Sequence, residues 1–218
     1  MPSRIENVNG GAKDKVLLVE GRDERFVIKT LCEQKEYQDL KFDIREEGGF
    51  EGIKKAVKPM LLRGSESLTR LGLIVDADEN PIETRWQSFS DILKSSGFDL
   101  PDSPLESGTF SENGNQKIGI WIMPNNKDNG MLEDFLLDFA DSNGRDAAEA
   151  YIDDSIKSGV AKLNPKHRSK GIARAYLAIQ KKPSQSLGTA ITSKAFKVDA
   201  KLAKSFTNWL TRLFKSDF

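Results

Sequence analysis

Two residue types on which many enzyme sites depend are almost missing from this chain of 218 residues, which has one cysteine, Cys32, and one histidine, His167. A single cysteine excludes an internal disulfide, a cysteine-based zinc site and a CxxC redox pair. A single histidine excludes sites that need two or three histidine ligands from one chain. His167 also lies in a Lys/Arg-rich stretch that has no adjacent carboxylate to orient it, which argues against serine-protease-type chemistry.

Long apolar runs and an excess of charge of one sign are also missing. No window approaches the roughly 18 apolar residues of a membrane span, and the first residues, "MPSRIENVNGGAKDK", do not resemble a signal peptide. Lys+Arg and Asp+Glu number 33 each, so net charge predicts no partner. With 38% hydrophobic and 30% charged residues, we expect a soluble, cytoplasmic globular protein.

Short apolar runs alternate with helical patterns over the first part of the chain. We predict strands at 15–20, 40–44, 71–75 and 117–123, with helices after the first three; the third of these begins at Pro81. Strands that alternate with helices favour a mainly parallel, four-stranded sheet flanked by helices, which is an α/β fold.

The rest of the chain is predicted to be loop and helix. Residues 97–116 are rich in Gly, Pro, Ser and Asn, which indicates a loop with room for a short hairpin. Four helices are predicted at the end of the chain, joined by a looser connection over 183–199. We divide the chain into an α/β domain, 13–140, and a helical C-terminal extension, 141–218; the predicted helices lie at 131–140, 145–158, 169–181 and 200–214.

Acidic residues follow three of the predicted strands. Glu20 ends the first, Asp76 and Asp78 follow the third, and Glu133 lies in the first turn of the helix after the fourth. Glu24 is one helical turn beyond Glu20, so its carboxylate can return to the same crevice. Ligands of parallel sheets bind outside the carboxyl ends of the strands, where these side chains are expected to meet.

Carboxylates that converge in one crevice raise one another's pKa unless a cation neutralises them. Oxygen ligands suit Mg²⁺ or Mn²⁺, which also use substrate phosphates as ligands, so the chemistry indicated is phosphoryl transfer or phosphodiester hydrolysis. The alternative is that each acid solvates a turn or caps the next helix. The coincidence of acids after three separate strands favours the metal site.

The segments "LLVEGRDE", "LIVDADEN" and "GMLED" resemble the TOPRIM domain shared by topoisomerases, primases and OLD-family nucleases. Glu20 corresponds to the family's glutamate after its first strand, and Asp76 and Asp78 to its DxD. Glu24 and Glu133 make the chain more similar to the OLD-type nucleases than to topoisomerases. Its short length and the segment "IWIMPNN…G-x-LED" resemble small stand-alone prokaryotic TOPRIM-like proteins. The resemblance covers residues 13–140, and it implies a TOPRIM (Rossmann-like) fold.

The resemblance implies an Mg²⁺- or Mn²⁺-dependent nuclease or phosphotransferase that acts on DNA or RNA, in phage defence or nucleic-acid processing. The implied metal ligands are Glu20, Glu24, Asp76, Asp78 and Glu133, with Glu20, Asp76 and Asp78 also catalytic. Glu20 could alternatively be a general acid or base. The chain departs from the larger members of the family because it has no P-loop and no zinc ribbon, and none of its three tyrosines lies in a recognisable DNA-cleavage context.

Between residues 155 and 198 there are ten Lys and Arg residues and no Asp or Glu. A basic segment of this kind attracts nucleic acid, although it can also be a solvated helical face. Because OLD-type nucleases place a lysine near their metals, the resemblance makes Lys166 and Lys170 candidates for a catalytic lysine, which would stabilise charge on the phosphate.

Two other interpretations stay open at the level of sequence. The chain could be a non-catalytic metal- or nucleotide-binding subunit that works beside a separate ATPase or nuclease, because it carries no motor of its own. Receiver domains, sugar-nucleotide transferases and haloacid-type phosphatases also use clustered acids, but the order of the acidic motifs along this chain fits them less well. The sequence does not predict an oligomeric state.

Overall fold

A computed structural model describes residues 4–64, 66–198 and 200–215 of the chain. In these residues the fold is α/β, with one six-stranded mixed sheet and eight α-helices. Two short 3₁₀ turns, Lys35–Tyr37 and Pro165–His167, complete the regular structure. The elements in chain order are β1 Arg4–Val8, β2 Lys15–Val19, α1 Arg22–Cys32, β3 Phe42–Glu46, α2 Phe50–Leu61, β4 Arg70–Asp76, α3 Ile82–Lys94, β5 Thr109–Asn113, β6 Gln116–Met123, α4 Leu132–Leu137, α5 Ser142–Lys157, α6 Arg168–Ala178, α7 Leu187–Thr192 and α8 Lys201–Phe214.

The strand order across the sheet is β1-β3-β2-β4-β6-β5. The four central strands, β3, β2, β4 and β6, are parallel to one another, and they are the four strands that the apolar runs predict. β1 and β5 lie antiparallel at the two edges. The prediction of a four-stranded sheet is therefore wrong in its strand number, because the sheet is extended at both edges.

Both edge strands are short and polar, which explains why periodicity did not predict them. β1, "RIENV", is held on the sheet by its neighbours: Arg25 of α1 is buried and donates to Glu6 at 2.7 Å and to Glu46 of β3 at 3.2 Å. Lys29 also binds Glu6. β5, "TFSEN", forms a hairpin with β6, in the segment for which the sequence allowed a short hairpin. Charged pairing at an edge protects it from pairing with another chain.

Helices cover both faces of the sheet, as a parallel sheet requires. α2 and α3 bury Ile53, Val57, Trp86 and Phe89 against one face. The other face is covered by α1, α4, α6, α7 and α8, so residues of the helical C-terminal part share a continuous apolar core with the strands. α7 lies within 183–199, which the sequence predicted only as a loose connection, and the other predicted helices form with small changes at their ends.

The direction in which successive strands are added to the sheet reverses between β2 and β4, which are themselves parallel. From β2 the chain crosses to β3 on one side, and β4 and β6 then lie on the other side. Such a switch point opens a crevice at the carboxyl ends of the two strands, where α/β folds bind ligands. Glu20 follows β2 directly and Asp76 is the last residue of β4. Both acids therefore stand at the position in the sheet where a ligand site is expected.

Within the described part of the chain, none of the helices combines the length and the apolar character needed to cross a membrane.

Candidate functional site

Glu20 and Asp76 are joined across the switch point. The backbone N–H of Asp76 donates a hydrogen bond of 2.9 Å to Oε1 of Glu20. Burial raises the pKa of Glu20, and the carboxylate of Asp78 raises it further, while the hydrogen bond from Asp76 and the charge of Arg85 lower it. The end of β4 thus positions the Glu20 carboxylate over the crevice.

Asp76 is buried, with 9% of its surface exposed. Its Oδ1 accepts a hydrogen bond of 3.1 Å from the backbone N–H of Leu132, the first residue of α4. Burial raises the pKa of Asp76 well above its usual range, and the carboxylates of Glu24, Glu20 and Glu133 raise it further. The groups that act on Asp76 most strongly are therefore other acids, and a buried acid among acids needs a cation or a proton.

Glu24 lies in the first turn of α1, one helical turn after Glu20, as the sequence predicts. Burial raises the pKa of Glu24 to about 7, with further increases from the charges of Glu20, Glu133 and Asp23. Its carboxylate lies so close to Gly21 that a Cβ added there would be 3.1 Å from Oε2. The helix therefore directs this side chain back toward the switch point.

Asp78 is placed differently from Asp76. The strand ends at Asp76, and Asp78 takes a left-handed conformation with φ of 56°. Two backbone hydrogen bonds to Gly130, of 2.8 and 3.1 Å, hold it there. Its carboxylate accepts a hydrogen bond of 2.6 Å from Nη2 of Arg85. The spacing of the two aspartates alone would suggest that both side chains project to the same side of an extended strand. They do not, and the carboxylate of Asp78 is neutralised by Arg85.

Glu133 is buried in the first turn of α4, next to the residue that bonds Asp76. Burial raises the pKa of Glu133; the charge of Lys170 lowers it, and the charges of Asp23 and Asp134 raise it. Asp134 is occupied structurally, because it accepts from the backbone of Met131 at 2.8 Å and from the Ser169 hydroxyl at 2.6 Å. These contacts bring the start of α6 to the acids.

The basic segment predicted from sequence therefore adjoins the acidic one. Lys170, exposed on α6, acts on Glu133. Lys166 lies with Asp78, Asp134 and Arg168 along a cleft of about 240 Å³. Arg168 is engaged by Asp153 through two hydrogen bonds of 2.7 Å, and so belongs to the scaffold of this cleft.

The donors at the switch point are all oxygen atoms, which fits Mg²⁺ or Mn²⁺. The charges of Glu20, Glu24 and Glu133 raise the pKa of Asp76, and those of Glu20 and Glu133 raise the pKa of Glu24. The charge of Asp78 raises the pKa of Glu20 and of Asp76. In the part of the chain that the structure describes, however, no three His, Cys, Asp or Glu side chains are arranged as a ready metal site. The carboxylates are close enough to interact but are not drawn together as ligands, so the donor chemistry, and not a preformed geometry, is what fits a cation.

Sequence reasoning missed Arg85. This residue lies on the stripe that α3 buries, between Ile82 and Trp86, and its side chain is only 13% exposed. Helical spacing carried the signal, because a charged residue on an otherwise apolar stripe needs a partner. Because Arg85 follows Asp78 by only seven residues, that aspartate was a candidate for the partner of its charge.

The family described as "Protein of unknown function (DUF3226)" matches residues 14–215, so the chain belongs to that family. No curated protein and no solved structure matched the chain. The match extends over the acid cluster and the basic helices alike, so the family is defined by the α/β part together with the helical part.

Proposed function

We propose that this protein is a divalent-metal-dependent hydrolase of phosphodiester bonds in nucleic acid, with a TOPRIM-type site. The observation that carries the proposal is Asp76, a buried aspartate at the switch point of the sheet that is surrounded by the carboxylates of Glu20, Glu24 and Glu133. Burying several negative charges together is costly unless a cation joins them. A site built only to solvate a turn would leave these side chains in water.

Glu20, Glu24, Asp76, Asp78 and Glu133 would hold Mg²⁺ or Mn²⁺ in this proposal. When bound, such an ion supplies an activated water nucleophile and neutralises charge on the phosphate. The residues of this chain supply the rest. The backbone of Asp76 orients Glu20, the start of α4 orients Asp76, and Lys170 places a positive charge beside Glu133.

Nucleic acid is the substrate class that fits the surroundings of the acids. The basic segment of α6 and the turn before it lie along the same edge, so a polyanionic strand would be attracted to the acid cluster and not repelled from it. By the resemblance to OLD-type nucleases, the process served is phage defence or nucleic-acid processing.

A second candidate function is a non-catalytic metal- or nucleotide-binding subunit that acts beside a separate ATPase or nuclease. The observation that favours it is the ion pair of 2.6 Å between Asp78 and Arg85. A protein that neutralises one of its own DxD carboxylates needs less metal charge there. This candidate predicts metal binding without turnover until the partner protein is added.

Calorimetric titration with Mg²⁺ and with Mn²⁺ tests both candidates on the wild-type chain and on Asp76→Asn, with the exposed aspartate variant Asp154→Asn as a matched control. The same samples are incubated with single- and double-stranded DNA and RNA. The nuclease proposal expects metal binding and cleavage in the wild type and in Asp154→Asn, with both lost in Asp76→Asn. Binding without cleavage supports the subunit proposal. No metal binding by the wild type contradicts the nuclease proposal and the metal-binding form of the subunit proposal.

A further inference from the structure

Arg85 combines a buried charge with an incomplete set of partners. Its guanidinium lies 4.0 Å from the ring centroid of Phe50 and donates from Nη2 to Asp78. Its Nε is buried and, among the described residues, has no hydrogen-bond partner. A guanidinium has five N–H donors in a planar fork, and leaving one of them buried and unpaired is unfavourable.

Another arginine of the same chain shows what a complete pair looks like. Arg168 binds Asp153 through Nε and Nη2 together, at 2.7 Å each. Arg85 uses only the Nη2 side of the equivalent edge for Asp78. Arg85 therefore uses only one of the two donors on this edge of its guanidinium. Its side chain is nevertheless more enclosed than that of Arg168, because it is 13% exposed and that of Arg168 is 42% exposed.

The Arg85 guanidinium also stands at the switch point. Its charge lowers the pKa of Glu20, which follows β2, and its ion pair reaches Asp78, beyond the end of β4. Phe50, on which it stacks, is itself packed edge-on against Phe89 at 5.3 Å. Both Phe50 and α3 are anchored in the apolar layer on one face of the sheet, so the guanidinium would stay in place if Asp78 turned away from it.

The carboxylate that Arg85 binds is accessible from solvent. The Asp78 carboxylate, in contrast to Asp76, is substantially exposed, at 42%. A ligand that approaches from solvent can therefore reach the acceptor that Arg85 now uses.

We propose that Arg85 is the phosphate-binding residue of this site. Asp78 occupies the guanidinium in the protein without ligand, and the phosphodiester of a bound nucleic acid replaces Asp78 on it. A phosphate that takes the place of Asp78 on Nη2 carries a second oxygen for the Nε that is buried while Asp78 is bound, which matches the fork geometry for which arginine is suited. The exchange also releases the Asp78 carboxylate toward the cation, so that substrate and metal assist each other's binding. This inference rests on the proposed nucleic-acid function and names the group that recognises its substrate.

The test uses the full chain in EDTA, so that it does not depend on metal. Fluorescence anisotropy measures the affinity for fluorescein-labelled oligothymidylate and for a labelled DNA duplex. Asp78→Asn removes the charge that occupies Arg85, and asparagine tolerates the left-handed backbone at this position. Glu79→Gln is the matched control, because it removes one negative charge from an exposed neighbour that lines the same cleft.

We expect Asp78→Asn to raise the affinity for the better-bound probe about ten-fold, since one charge-assisted arginine–phosphate contact becomes available. Glu79→Gln should raise it about two-fold, through the general change in charge. In the Arg85→Gln background, Asp78→Asn should give only the two-fold effect. Arg85→Lys keeps the charge but not the fork, and should also lose most of the gain; it serves in place of Arg85→Gln if that variant does not fold.

Equal gains in Asp78→Asn and Glu79→Gln would overturn the proposal, because Arg85 would then be no more than a counter-ion. A full gain that persists without Arg85 would overturn it as well. A wild-type protein that binds no metal contradicts the proposed function but leaves this metal-free measurement interpretable, so the two failures can be told apart.

Discussion

The Oε1 atom of Glu20 accepts a hydrogen bond of 2.9 Å from the backbone N–H of Asp76. This bond joins the residue after β2 to the last residue of β4, the two strands that border the switch point. Every other feature of the site is arranged around it: α4 binds the side chain of Asp76, α1 brings Glu24, and Arg85 approaches from α3.

Replacing Glu20 should separate its two roles. Glu20→Gln keeps an oxygen that can accept from Asp76, so we expect a melting temperature at or above that of the wild type and a loss of Mg²⁺ affinity of at least about ten-fold. Glu20→Ala removes the acceptor and should cost about 1 kcal/mol in the free energy of unfolding as well. Urea unfolding and calorimetry measure the two effects. Unchanged Mg²⁺ affinity in Glu20→Gln would remove Glu20 from the ligand set.

The pKa of Glu24 gives the metal-free protein a definite pH dependence. The pKa is about 7 in the folded protein and 4.5 for an unperturbed glutamate, so the folded state binds the additional proton between these values. The free energy of unfolding should therefore fall as pH rises from about 5 to about 7, by at most about 3 kcal/mol from this group. The buried Asp76 changes stability in the same direction.

Urea unfolding in EDTA at pH 5, 6, 7 and 8 measures this dependence. Glu24→Gln should flatten the profile, whereas the exposed variant Glu51→Gln should leave it unchanged. Saturating Mg²⁺ should restore stability above pH 7, since a cation favours the charged carboxylates. Identical profiles for Glu24→Gln and the wild type would mean that Glu24 does not carry the proton.

The two candidate lysines should behave differently. Lys170 interacts with Glu133, so Lys170→Gln should tighten Mg²⁺ binding about three-fold by removing a competing cation, and slow cleavage about ten-fold by removing charge stabilisation from the phosphate. Lys166 lines the cleft beside Asp78, so Lys166→Gln should weaken nucleic-acid binding and leave Mg²⁺ affinity within about two-fold. Cleavage that is unchanged or faster in Lys170→Gln would show that this lysine only balances charge.

The loop before β5 should be sensitive to a single methyl group. Gly108 has φ of 84°, and a Cβ there would lie 2.2 Å from Cδ1 of Trp209, a fully buried residue of α8. Gly114 has φ of 58° and open space around its Cβ position, so it is a control for backbone strain alone. We expect Gly114→Ala to cost about 1 kcal/mol and Gly108→Ala about 3 kcal/mol, with a change in tryptophan fluorescence only in the second. Equal costs would mean that the indole moves aside freely.

The local sequence was sufficient for the parts of this fold that depend on apolar pattern. The runs "KVLLV", "RLGLIVD" and "KIGIWIM" are short, apolar and rich in β-branched residues, which indicates buried strands, and a carboxylate that directly follows such a strand lies at its carboxyl end. Glu20 and Asp76 could therefore be assigned to the same edge of the sheet from the sequence. Helical spacing also predicted that Glu24, one turn after Glu20, and Glu133, in the first turn of a helix that follows a strand, would lie at this edge.

Tertiary structure alone decided the features that depend on partners distant in sequence. β1 pairs antiparallel with β3, and the buried Arg25 binds Glu6 and Glu46 across these two strands; nothing within "RIENV" predicts this pairing. The strand order, and with it the switch point, arises from helices packing on both faces. Asp78 could be expected to project like Asp76, but Gly130 and Arg85 hold it in a left-handed turn. Sequence by itself determined which residues carry charge at the edge of the sheet, because that depends on local periodicity; only the packing of the whole chain decided which of those charges are paired and which are left for a ligand.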